Sequence, residues 1–230
     1  MFEKLSALPT PLKWLVTLLF VLAVALVVGL IILLYYLFAY KKDTNPESAR
    51  KNYRKLLLMI AEIGIFTSVG LVLDYLASVI DIAFPNGGSI SIAMLPIFIL
   101  SYRWGLKGGL ISGFLIGIIQ MIWSTYLTHP IVPFFDYILP YGVIGLAGLF
   151  AKLATSDKAK IRIPFIIISV VSVCTLRLAF HTISGMVAWS TPFGASLLYN
   201  LSYVGIDAIL CSALAIALSF ALKKYWRYQG

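Results

Sequence analysis

Long apolar segments, separated by short polar loops, run along almost the whole chain of 230 residues. A helix that crosses the hydrocarbon core of a bilayer needs about 20 mostly apolar residues, and several segments reach that length. The chain is 61% hydrophobic and 12% charged, whereas a soluble domain averages about 45–50% apolar and about 25% charged residues. This pattern predicts an all-α integral membrane protein that is surrounded by the lipid bilayer.

The apolar segments predict one N-terminal transmembrane helix followed by a core of six helices. Leu15–Tyr40 carries no charge and is too long for the apolar part of a signal peptide, so we interpret it as a retained anchor. The core spans are predicted at Leu56–Ile80, Ile92–Ser101 (short and partial), Gly105–Ser124, Phe134–Ala154, Ile163–Trp189 and Ala195–Leu222. The expected regions are therefore an anchor over 1–40, a basic cytoplasmic linker over 41–55 and a substrate-binding core over 56–230.

The loop charges predict the orientation of the helices, because cytoplasmic loops are enriched in Lys and Arg. Lys41–Lys55 holds six basic and two acidic residues, and Lys152–Arg162 holds four basic and one acidic residue. Loops without any Lys or Arg alternate with these, around 81–91, 124–136 and 190–195. Both termini of the core are therefore predicted to be cytoplasmic, with Met1 outside the cell membrane.

Several kinds of function are excluded by the composition and the motifs. The formal net charge of +9 lies in the predicted loops, without the basic face or stacking motif of a nucleic-acid-binding protein. The signatures G-x-x-x-x-G-K-[ST], Gly-x-Ser-x-Gly and H-E-x-x-H are missing. Cys174, Cys211 and the two histidines show neither disulfide nor metal-ligand spacing. We therefore expect no enzymatic activity, no metal, no cofactor and no nucleic-acid partner, and uphill transport would need a separate energising protein.

Polar and aromatic side chains collect at the predicted outer ends of the core helices. Asp136 and Tyr137 open the fourth core helix, and His181 and Trp189 lie on the outer half of the fifth. The same layer contains Trp123, Tyr126, Tyr199, Asn200 and Tyr203. A charge at this depth is costly, and a carboxylate among aromatic rings suits an organic cation. The cluster predicts an outward-facing pocket for a small, flat, cationic molecule.

These polar residues also have structural interpretations. Trp and Tyr are common in the interfacial belts of membrane proteins. Asp136 could cap the start of a helix, and His181 could be a satisfied polar group of the core. Arg177 is predicted to be structural and paired with an acid such as Asp207 or Asp74.

Small residues predict close approaches between helices. Gly64 and Ser68 form a small-xxx-small face, which suits either packing inside the bundle or docking to another membrane subunit. A second thin face, predicted to pack inside the bundle, is formed by Gly105, Gly108, Gly109, Gly113 and Gly117. The turn Pro85–Ser89 is predicted to be a hinged outer lid over the pocket.

Four motifs carry a resemblance to a known family. They are the run Gly87–Gly109, the pair Asp136-Tyr137 with Tyr126 ten residues earlier, His181-x3-Gly185-x3-Trp189, and Leu198-Tyr199-Asn200. Together they resemble the motifs of the ThiT-type thiamine transporters, the substrate-binding S components of energy-coupling factor (ECF) transporters. The likeness covers roughly residues 55–224, with all six core helices in order.

The resemblance implies a six-helix S-component bundle, here preceded by one extra N-terminal transmembrane helix, that holds thiamine near its outer face. It also implies a transmembrane coupling protein and two ATPase subunits as partners. The implied substrate-binding residues are Asp136, Tyr137, Tyr126, His181, Trp189, Tyr199 and Asn200, with Phe84 as the aromatic residue of the lid. Gly64 and Ser68 are expected to dock the coupling protein.

The chain differs from the family pattern in its site. Its acid is Asp136 where the family has Glu, Ala195 stands where the family has Tyr, and Phe84 replaces a Trp of the first outer loop. A thiamine precursor or another flat vitamin is therefore an alternative ligand. The alternatives from other classes are an integral membrane enzyme acting on lipids or isoprenoids and a scaffold subunit without a ligand.

Overall fold

The computed structural model describes residues 46–79, 88–124 and 129–230. The chain divides into two compact units, 1–61 and 62–230, and only residues 46–61 of the first unit are described. The predicted anchor Leu15–Tyr40, the lid residue Phe84 and the site residue Tyr126 lie outside the described residues. Everything below on packing and on the site concerns the second unit.

The described residues form helices and no strand. Four of the long helical runs consist of α-helix, with a break at Gly105 in the second: α1 (Pro46–Val79), α2 (Leu95–Trp123), α4 (Ala159–Ala188) and α5 (Phe193–Ala221). The remaining helical run, Pro133–Ala154, is called α3. It consists of a π-helix (Pro133–Ile138), an α-helix (Leu139–Ile144), a 3-10 helix (Gly145–Phe150) and a short α-helix (Ala151–Ala154).

Five helices of the described part are long and apolar enough to cross a membrane, one in each of α1 to α5. The predicted class, an all-α integral membrane protein, is confirmed. The predicted count of six core helices plus one is not established by these five. The helix α1 begins at Pro46, so the second half of the predicted linker is helical, and the division into three regions stays a prediction.

The difference in helix count arises at Gly105, where α2 joins two segments that the sequence predicts as separate helices. The φ of Gly105 is 66° and its ψ is −154°, a conformation that glycine adopts readily because it has no Cβ. Met94, just before α2, contacts Arg177 of α4. Two turns later, the hydroxyl of Tyr102 lies 2.7 Å from that of Ser169, also on α4. Residues 94–102 thus pass α4 in the direction of its N-terminus.

After Gly105, α2 runs back along α3 at very short range. A Cβ added at Gly113 would lie 2.3 Å from the carbonyl oxygen of Tyr141. One added at Gly117 would lie 2.6 Å from the carbonyl oxygen of Tyr137. The predicted thin face therefore packs against the α3 backbone, and the two halves of α2 run in opposite directions.

Gly145→Ala should destabilise the protein because it would force α2 and α3 apart. The new Cβ would lie 2.4 Å from the carbonyl carbon of Gly109 and 2.4 Å from the nitrogen of Leu110, and backbone atoms cannot rotate away. We expect a loss of about 1–3 kcal/mol, typical of overpacking, seen as a lower apparent melting temperature of the purified protein. Gly194→Ala is the control, since its Cβ would have no atom within 4 Å. Equal melting temperatures for the two variants would contradict this packing.

At the end of the bundle where α2 breaks at Gly105, the carboxylate of Glu62 on α1 forms hydrogen bonds with α2. The Oε2 atom of Glu62 accepts hydrogen bonds from Arg103 Nε and Trp104 Nε1, each at 2.7 Å. Arg103 also donates to the carbonyl oxygen of Tyr225 at 2.7 Å and lies 3.9 Å from the centroid of its ring. This is the end with the predicted cytoplasmic loops, and the candidate site lies at the opposite end.

Candidate functional site

Asp136 lies on the π-helical turn at the start of α3, not on a regular α-helix. Pro133 begins this turn, and Pro140 follows it. Because Pro140 has no N–H, it cannot bond to the carbonyl four residues earlier, that of Asp136. Such π-helical turns are frequent at functional sites, and this one turns the carboxylate of Asp136 toward α4.

Two side chains of α4 hold the carboxylate of Asp136. His181 Nδ1 lies 3.1 Å from Oδ1, and the Ser184 hydroxyl donates to Oδ2 at 2.6 Å. The side chain of Asp136 is 22% exposed. The residue that caps this helix is Val132, so the alternative that Asp136 is a solvent-exposed helix cap does not describe its contacts.

Behind His181, a chain of buried polar contacts extends into the bundle. Arg177 donates from Nε to His181 Nε2 at 3.2 Å and from a terminal nitrogen to Asp207 Oδ2 at 3.2 Å. The same terminal nitrogen contacts the sulfur of Met94 at 2.7 Å, and the guanidinium lies 5.3 Å from the ring centroid of Tyr141. Arg177 is thus paired with Asp207, one of the two acids predicted for it.

Aromatic and amide groups of α5 form the wall next to His181. The ring of Tyr203 packs edge-on against His181 and against Tyr199, with centroid distances of 6.0 and 5.8 Å. Tyr203 donates to Asn200 Oδ1 at 2.5 Å, and Asn200 Nδ2 donates to the Ser196 carbonyl at 2.8 Å. Asn200 Nδ2 also donates to the Ser196 hydroxyl at 3.4 Å, and because an amide oxygen has two lone pairs, Oδ1 can accept one more hydrogen bond.

The last residues of the first outer loop rest on this wall. The backbone N–H of Gly88 donates to the Tyr199 hydroxyl at 3.0 Å. A Cβ at Gly88 would lie 2.8 Å from that oxygen and from two ring carbons of Tyr203, so only glycine fits this approach. The backbone N–H of Ser91 donates to Asp207 Oδ1 at 2.8 Å. These contacts hold the end of the predicted lid, whose other residues, 85–87, lie outside the described part.

Trp189 and Tyr137 are the two other predicted substrate-binding residues that the structure describes. Trp189 follows the last residue of α4 and is 40% exposed, two turns beyond His181, which is about 12 Å along a helix axis. The hydroxyl of Tyr137 forms a short hydrogen bond with that of Ser124. The structure therefore brings Asp136, His181, Tyr199 and Asn200 into one connected cluster. Trp189 lies at its outer edge.

The charges of this cluster suit a cationic guest. The carboxylate of Asp136 is contacted by an imidazole and a hydroxyl, whereas the positive charge of Arg177 is balanced by Asp207. A negative charge with such partners at a partly buried position attracts an organic cation more strongly than it would in water. In the described ranges, no group of three or more His, Cys, Asp or Glu residues could hold a metal ion.

Three residues that contribute contacts here were not predicted as site residues: Ser184, Tyr203 and Ser91. Ser184 follows His181 by three positions, and residues three apart share a helix face, so this spacing could have identified it. Tyr203 follows Asn200 by three positions in the same way. The contact from Ser91 to Asp207 is made by a backbone N–H, for which the sequence carries no signal.

Comparisons with known proteins give matches over most of the chain. Residues 60–226 match a protein family described as thiamine transporter protein (Thia_YuaJ). The chain is 36% identical over 181 residues to thiamine transporter ThiT of Bacillus subtilis (strain 168), which covers 74% of this chain and 93% of that protein. A solved structure of ThiT from Listeria monocytogenes, 23% identical, matches with a TM-score of 0.64 over 75% of this chain and 99% of that one. This structural match shows a common fold.

Proposed function

The chain belongs to the thiamine transporter protein family, and from this premise we propose that it is a thiamine-binding S component of an ECF-type uptake transporter. Membership of this family makes it a multi-pass membrane transporter protein and not an enzyme. In the proposed function, the chain binds thiamine at the outer face of the cell membrane. A separate coupling protein and two ATPase subunits then drive its transfer.

The observation that carries the proposal is the carboxylate of Asp136 held by His181 and Ser184 at 3.1 and 2.6 Å beside the Tyr199–Tyr203 wall. Thiamine has a permanently positive thiazolium ring and a flat aminopyrimidine ring. A carboxylate supplies the counter-charge for the first, and aromatic rings and an amide suit the second. The chemistry of the ligand therefore matches the chemistry of the cluster.

Within this proposal, each predicted site residue has a role. Asp136 supplies the counter-charge, and Asn200 supplies a directional hydrogen bond through the second lone pair of its Oδ1. His181 and Trp189 stack on the ligand, at two levels along α4, since they lie two turns apart. The other proposed ligand contacts are those of Tyr137, Tyr126 and Tyr199, with Phe84 contributed by the lid.

Fluorescence titration with a panel of vitamins tests the ligand. Thiamine should quench the tryptophan fluorescence of the purified protein, because Trp189 lies at the edge of the cluster. The Trp189→Ala variant should lose most of this quenching and bind thiamine at least about tenfold more weakly. Trp226→Phe is the matched control, since Trp226 donates to the Ala154 carbonyl at the other end of the bundle. If the protein binds a thiamine precursor or a pyridoxine-like molecule more tightly than thiamine, the proposal that thiamine is the ligand is wrong.

The coupling partners are proposed from two observations. The chain has no nucleotide-binding motif, so the energy for uptake must come from another protein. Gly64 and Ser68 are exposed on α1, and a Cβ at Gly64 would have no atom of the described residues within 4 Å. This small-residue face is therefore open for a second membrane protein to approach closely, which favours docking over packing inside the described bundle.

A further inference from the structure

Arg177 determines which nitrogen of His181 carries the proton. An arginine side chain can only donate hydrogen bonds, so the contact from Arg177 Nε to His181 Nε2 at 3.2 Å requires a lone pair on Nε2. The ring proton is then on Nδ1, from which it is donated to Asp136 Oδ1 at 3.1 Å. Both ring nitrogens are thus engaged, and in different roles.

The groups that face His181 oppose its protonation from one side and favour it from the other. Asp136 faces it from α3, Arg177 from its own helix and Tyr203 from α5, while Asp207 acts through its pairing with Arg177. A proton on Nε2 would replace a hydrogen bond with two cationic N–H groups pointing at each other. The His181 side chain is only 8% exposed, so little water is present to relieve that repulsion.

We propose that Arg177, balanced by Asp207, is a positioning residue that keeps His181 neutral with its proton on Nδ1. An imidazolium in this place would pair with Asp136 and cancel the negative charge that a cationic ligand needs. A neutral imidazole orients the same carboxylate and leaves its charge intact. The consequence for thiamine rests on the proposed function, whereas the protonation state of His181 does not.

Nitrogen NMR of the wild-type protein tests the protonation state directly. The chain has two histidines, and His129 is exposed, so the signals that remain in a His129→Gln variant identify those of His181 in the wild-type spectrum. With ¹⁵N-labelled histidine, we expect a neutral ring protonated on Nδ1 from pH 6 to pH 8. An imidazolium, or a ring protonated on Nε2, in this range would overturn the proposal.

The pH dependence of thiamine binding tests what Arg177 contributes. Arg177→Gln combined with Asp207→Asn removes the buried pair without leaving an uncompensated charge. In this double variant a proton on Nε2 is no longer opposed by Arg177, and an imidazolium paired with Asp136 should weaken binding by more than about threefold between pH 7.5 and pH 5.5. The affinity of the wild-type protein should change by less than about threefold over the same range. The wild-type profile also serves as the control for protonation of thiamine itself.

Adding His181→Gln to the double variant should remove its pH dependence. A double variant with the same flat profile as the wild type, or a slope that persists without His181, would overturn the role of Arg177. If the double variant does not fold, the NMR spectrum of the wild type still decides the state of His181. If thiamine does not bind the wild type, the proposed ligand is wrong, and the spectrum again decides this inference separately.

Discussion

Asp136→Asn should weaken thiamine binding by about 30-fold to 4,000-fold. Losing one partner of a desolvated, hydrogen-bonded charge pair costs about 2–5 kcal/mol, and about 1.4 kcal/mol corresponds to a factor of ten. Asparagine keeps nearly the same size but removes the negative charge, and its amide N–H groups cannot accept the bonds from His181 and Ser184. Isothermal titration calorimetry of the purified variant measures the change.

Two further variants make the Asp136 experiment specific. Asp157→Asn removes an exposed acid from the loop between α3 and α4 and should leave the affinity unchanged. Asp136→Glu keeps the charge and restores the residue type expected for the family, so it should retain most of the binding. Wild-type affinity in Asp136→Asn would show that this carboxylate is not the counter-charge of the ligand.

The fold class could be predicted because the bilayer leaves few choices to a chain of this composition. Backbone polar groups inside a membrane must be bonded within the chain, so a long apolar segment becomes a helix. The predicted spans Ile163–Trp189 and Ala195–Leu222 accordingly correspond to α4, Ala159–Ala188, and α5, Phe193–Ala221. The resemblance to the thiamine transporters, read from four motifs, is confirmed by the family comparison.

The local departures from regular helix could not be predicted in the same way. Hydropathy is the same for an α-helix and a π-helix, so the turn Pro133–Ile138 has no signature beyond its flanking prolines. The sequence predicted separate segments, Ile92–Ser101 and Gly105–Ser124, but the reversal between them depends on one backbone conformation, at Gly105, in a chain where other glycines of α2 remain helical. Both features nevertheless decide where Asp136 lies relative to α4.

For the site, the layer and the ion pair of Arg177 with Asp207 could be predicted, but most specific contacts could not. The loop charges placed Asp136 and His181 in one layer, and the structure places their side chains 3.1 Å apart. The same argument placed Trp189 in that layer, although the spacing of the motif puts it two turns beyond His181. Direct stacking of one ring between Trp189 and His181 is therefore replaced, in our proposal, by contacts at two levels of an elongated ligand.

Ser68→Trp should abolish thiamine uptake by cells while leaving thiamine binding to the purified protein intact. Ser68 is exposed, and its hydroxyl donates to the Gly64 carbonyl one turn earlier, at 2.9 Å. A bulky indole here would project from the small-residue face and keep a partner helix from approaching. Uptake of labelled thiamine and calorimetric binding, measured on the same variant, separate the two effects.

The comparison with another exposed position decides whether the effect belongs to this face. Val171→Trp places the same indole on α4, where the side chain is also exposed, and it should leave uptake close to wild type because no docking is proposed there. Loss of uptake in both variants would indicate a general defect in the membrane. Joint loss of uptake and binding in Ser68→Trp would count against a docking surface separate from the site. Retained binding with lost uptake in Ser68→Trp alone would support a docking surface on α1 that is separate from the binding site.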